Sequence, residues 1–143
     1  MLDESRSAAR SVASHVRLPR GCSLTTGIGR SLLVAGVAAV NGDSRWGSLV
    51  FVIALIAAVG LQAVAMQRFR RPNSAWVNGM HRLRSTWPVL GVHAAVLIAC
   101  MVLAVYGMLR SQGWIVLLAC LVPLPVTYVN DRWWMRRYAA AFA

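Results

Sequence analysis

The chain has 143 residues, 58% of them hydrophobic, and a formal charge of +11 made by 15 arginines, no lysine and only four carboxylates, Asp3, Glu4, Asp43 and Asp131. So few carboxylates leave no convergent set for acid–base catalysis. The positive charge sits in separate pieces against apolar boundaries, with no helix-turn-helix, zinc-finger spacing or aromatic-interleaved strand pattern, so nucleic acid is not the expected partner.

In chain order, residues 1–21 form a basic tail. Arg6, Arg10 and Arg17 can stay wet while Ala9, Val12 and Val16 share a face, and Pro19-Arg20-Gly21 ends any helix. Cys22 to Val40 is the first apolar stretch. Arg30 interrupts it near its middle, so it reads either as a full span or as a re-entrant or surface segment. Val37-Ala38-Ala39 could pass for a cleavage site, but the long preceding sequence and the embedded arginine are unlike a signal peptide. Gly47 to Met66 and Pro88 to Leu109 each hold about 20 residues without a charge, which matches the hydrocarbon thickness of a bilayer. Trp114 to Val129 is shorter and carries Pro123 and Pro125, which remove backbone donors near its end.

Charge placement decides between three spans and four. With four spans and a cytoplasmic N-terminus, 12 of the 15 arginines fall inside (6, 10, 17, 20, 68, 70, 71, 82, 84, 132, 136, 137) and only Arg45 and Arg110 outside. That is the bias of the positive-inside rule. Tryptophan supports the same boundaries, since Trp46, Trp87, Trp114, Trp133 and Trp134 all stand at segment ends, where amphipathic rings prefer the headgroup layer. The expected fold is therefore an all-α integral membrane protein, a four-transmembrane-helix bundle with both termini inside. Exclusive use of Arg with abundant Ala, Val and Gly points to a bacterial cytoplasmic membrane.

Between the second and third spans, residues 67–87 form the central cytoplasmic loop. Pro72 breaks the preceding helix and Asn73 or Ser74 can cap a new one. There Trp76, Met80, Leu83 and Trp87 recur at helical spacing opposite Asn78, Arg82 and Ser85, the pattern of a short interfacial amphipathic helix. Residues 130–143 form a basic-aromatic tail in which Asn130-Asp131 is read as ending the fourth helix or capping the segment after it.

Two rows of small residues, Gly27, Ser31, Ala35 and Ala39 in the first span and Gly91, Ala95 and Ala99 in the third, let backbones approach and make these helices candidates for close packing, within one subunit or between copies. Arg30 has no intraspan carboxylate to pair with on this reading. Its long stem snorkels to phosphates, or it meets Gln62 or a partner's acidic group. Trp76, Arg82, Asp131, Arg132, Trp133 and Trp134 are the other candidate contacts for lipid or a partner, because arginine and aromatic side chains dominate docking surfaces. His93 is read as a hydrogen-bonded interface residue. The spacing of His15, His81, Cys22, Cys100 and Cys120 matches no metal or haem motif, so no cofactor is expected. The expected partners are anionic phospholipid and either another membrane protein or further copies of the chain. Two functions remain: an accessory or scaffold subunit on a larger complex, and a small homo-oligomeric transporter or channel.

Overall fold

The computed structural model describes residues 19, 21–42, 44–70 and 87–140. The tail before Pro19 and most of the central loop, with Trp76 and Arg82, lie outside them. Five α-helices make up the described chain: α1 Cys22–Val40, α2 Gly47–Arg70, α3 Trp87–Leu109, α4 Gly113–Leu121 and α5 Pro123–Ala140.

Long apolar runs, broken by Arg30 in α1 and followed by charged residues at the ends of α2 and α5, give the helices their length, and α4 with α5 acts as one bent rod. Val122 still donates to Leu118 O at 3.0 Å, and Val126 to Val122 O at 3.3 Å. Pro123 and Pro125 cannot donate, so the carbonyls four residues before them lose their helical partners and the rod is divided there. Among the described residues four helical segments are long and apolar enough to cross a membrane: Cys22–Val40, Gly47–Arg70, Trp87–Leu109 and Gly113–Arg137. Their outward faces carry large apolar side chains such as Ile53, Ile56, Val59, Ile98, Val102 and Leu117. Hydrocarbon solvates such a surface and water does not. The chain is a small multi-pass membrane protein.

Several boundaries differ from those read in the sequence. Helix α2 runs through the arginines that follow its apolar span to Arg70, just before Pro72, whereas the fourth rod does not stop at Val129. Asn130 and Asp131 neither terminate nor cap a helix; α5 passes through them to Ala140, since nothing after Pro125 removes a backbone donor.

Helix α1 is the hub. It packs against α2, α3, α4 and α5, while among the described residues α2 makes its substantial helix contacts with α1 alone. Glycines on α1 permit this. A Cβ on Gly29 would stand 3.2 Å from the Ala58 carbonyl oxygen, one on Gly36 2.9 Å from Ala54 Cβ, and one on Gly27 3.2 Å from Leu124 Cδ2. The α1 row is thus used in part: Gly27 is buried, with Ser31, Ala35 and Ala39 half-buried. The α3 row is turned the other way. Gly91, Ala95 and Ala99 are all exposed, and nothing lies within 4 Å of a Cβ built on Gly91. The close α1–α3 packing expected of that row is not formed within the subunit, because α3 uses His93, Cys100, Ala104 and Gly107 to face the bundle.

The dry core occupies the half of the bundle nearest the two short turns. Val34 and Ala38 of α1 meet Cys100 and Ala104 of α3 and Ala119 of α4, with Val96, Leu97, Met101, Met108, Val116 and Cys120 packed around them. The α3–α4 turn closes in a Schellman arrangement: Gln112 N–H donates to Gly107 O at 2.8 Å and Ser111 N–H to Met108 O at 3.1 Å. Ser111 takes the left-handed conformation this requires, with φ of 54°.

Candidate functional site

Polar side chains gather in the other half of the bundle, at the end where α1 begins and α2 and α5 terminate in arginine. Arg30 is two helical turns in from the start of α1. Its Nη1 donates to Thr127 Oγ1 at 3.0 Å, and Thr127 is fully buried on α5. One turn further along α5 lies Asp131, whose carboxylate is within Coulombic reach of Arg30 and accepts a hydrogen bond from the Ser23 hydroxyl. The spacing of four puts Thr127 and Asp131 on one helical face. A carboxylate of the same chain therefore acts electrostatically on Arg30. The sequence reading missed it because it ended the fourth span at Val129, which left Asp131 in a tail.

His93 of α3 closes the group from the other side. It is only 8% exposed, near enough to Arg30 to feel its charge, and neither ring nitrogen has a hydrogen-bond partner. The expected hydrogen-bonded role for this histidine is not what the structure has. Ser31 Oγ is likewise buried without a partner, and Thr26 is buried one turn before Arg30. Gln62 does not meet Arg30, since it stands on the exposed face of α2. At the start of α1 the Cys22 thiol donates to the Ala65 carbonyl at 3.5 Å, joining α1 to the end of α2.

The cluster lies beside a surface cleft of about 580 Å³. Gly21, Ser23 and Leu24 form one wall, and Tyr128, Arg132 and Arg136 the other. The Arg132 guanidinium lies 4.5 Å from the centroid of the Tyr128 ring, and that of Arg137 is 5.7 Å from the Trp133 ring. Trp133 and Trp134 are half-buried, whereas Arg132 is exposed. The opposite end carries its own arginine–aromatic contacts, Arg45 on Trp46 at 5.4 Å and Arg110 on Tyr106 at 5.8 Å.

Chemically, a guanidinium, a carboxylate, two hydroxyls and an unpartnered imidazole can hold a proton or a small polar ligand. They do not compose a nucleophile with its base. Among the described residues no three His, Cys, Asp or Glu side chains lie close enough to share a metal ion. Comparison with protein families, curated proteins and solved structures finds no match.

Proposed function

We propose that this protein is an accessory subunit that docks on a larger membrane complex, placed in a bacterial cytoplasmic membrane with both ends of the chain on the inner side. The observation that carries this reading is the dry packing of Val34, Ala38, Cys100, Ala104 and Ala119 between the polar cluster and the two short turns. Among the described residues, this apolar packing stands between the polar cluster and the turns. Helix α2, packed on one side only, leaves most of its surface for lipid or another helix, and the small-residue face of Gly91, Ala95 and Ala99 suits a close-packed neighbour. The arginine–aromatic end of α5, with the amphipathic segment around Trp76 and Arg82, would dock on the inner side.

A second reading, a small homo-oligomeric transporter or channel, is favoured by the Arg30, Thr127, Asp131 and His93 cluster, because ionisable groups within a span commonly mark a transport path. Purification from the membrane in mild detergent separates the two. Reproducible co-purification of one unlike membrane protein at constant stoichiometry is the expected result. A discrete homo-oligomer that conducts ions or solute in liposomes would replace the accessory reading with the second.

A further inference from the structure

We propose that the cleft between the first turn of α1 and the outer face of α5 binds the phosphate of an anionic phospholipid. This rests on the bundle lying in a bilayer and is independent of the accessory role.

The charge on the cleft is uncompensated. Arg132 and Arg136 stand one turn apart on the same face of α5, both exposed and both lining the cleft, and among the described residues no carboxylate lines it. Asp131, their neighbour in sequence, is engaged elsewhere by Ser23 and Arg30. Asp131 is half-buried and does not line the cleft, which leaves the two guanidinium groups to act on whatever enters. Arg132 also has a neighbour that restrains it: its guanidinium carbon lies 4.5 Å from the centroid of the Tyr128 ring. Arg132 stays exposed in that contact, and a guanidinium can meet phosphate oxygens in pairs. The first turn of α1 adds backbone donors along the facing wall.

Size and surroundings select a lipid over a free ion. About 580 Å³ is ample for a glycerophosphate headgroup and far larger than phosphate needs. Leu24 and Met135 line the same cleft, and Leu24 continues into Ile28 on the exposed flank of α1. A phosphate held by the arginines would lay its acyl chains along that apolar strip. The cleft also sits where the apolar spans give way to arginine, the depth of a headgroup.

Native mass spectrometry of the full chain, released from micelles containing phosphatidylglycerol, phosphatidylcholine or inorganic phosphate, tests this. Phosphatidylglycerol should be retained in preference to phosphatidylcholine. The Arg132→Gln/Arg136→Gln variant should bind it about 20-fold or more weakly, taking about fivefold for each arginine near an anionic lipid. Arg45→Gln/Arg110→Gln removes the same charge at the opposite end and should bind as the parent does. Lysine at 132 and 136 should restore part of the affinity. Four results overturn the proposal: equal losses in the two glutamine pairs, equal retention of both lipids, displacement of phosphatidylglycerol by equimolar inorganic phosphate, or full affinity in Arg132→Gln/Arg136→Gln. Circular dichroism melting of each variant shows that it is folded.

Discussion

Arg30 would cost about 2.5 to 3.5 kcal/mol at the centre of an isolated spanning helix. Its surroundings show how that cost is offset: a buried hydroxyl at 3.0 Å, a carboxylate on the same facing helix, and a position toward the arginine-rich end. Removing one member strands the other. Arg30→Gln should therefore lower stability against unfolding by about 1.5 to 3 kcal/mol, the range for a hydrogen bond to a charged group. Asp131→Asn should cost less, because Ser23 still serves it. The combined variant should lose less than the sum, with a coupling of about 0.5 kcal/mol or more. Titration with denaturing detergent measures all three, and strict additivity would show that the two side chains do not act as a pair. Arg30 was legible in the sequence as the anomalous residue. Its partners were not, because Thr127 reads as an ordinary spanning residue and Asp131 seemed to lie beyond the helix end. The four-residue spacing from Thr127 to Asp131 was the available signal.

At the level of helices, hydropathy made the four spans legible, since long charge-free runs have few alternatives to crossing. Helix faces were harder to read. In sequences this rich in Ala and Gly, several rows of small residues compete, and spacing alone does not say which row meets a neighbour. The structure chooses Gly29 and Gly36 on α1, seven residues apart and outside the predicted row, to admit α2. It leaves Gly91, Ala95 and Ala99 outside. Gly36→Val should push α1 from α2, because its Cβ would meet Ala54 Cβ at 2.9 Å, and should destabilise by about 1 to 3 kcal/mol. Gly60→Ala is the matched control. Nothing lies within 4 Å of a Cβ there, so the gain in helix propensity should leave stability unchanged or raised by up to about 1 kcal/mol. Thermal unfolding in detergent reads both, and equal effects would mean that glycine is used on α1 for something other than close approach.

The molecule as a whole is polarised along its axis. One half holds Ser23, Thr26, Arg30, His93, Thr127 and Asp131, and the other a dry apolar core. The chain assigns its arginines to the same pole: Arg68, Arg70, Arg132, Arg136 and Arg137 lie at the polar end, against Arg45 and Arg110 at the end of the short turns. On the proposed orientation insertion and packing are aligned, since the arginine-rich end that would stay inside is also the end at which Arg30 finds its partners. This predicts the sidedness of three exposed positions in a background with Cys22, Cys100 and Cys120 replaced. Cysteine at Ser44 and at Gln112 should react with a membrane-impermeant maleimide on intact cells. Cysteine at Arg68 should react only after permeabilisation. Labelling of Ser44 and Gln112 from opposite faces would mean that α2 or α3, the two helices between them, does not cross. The reverse pattern at all three would place the polar half outside and require a force stronger than 12 arginines to set the orientation.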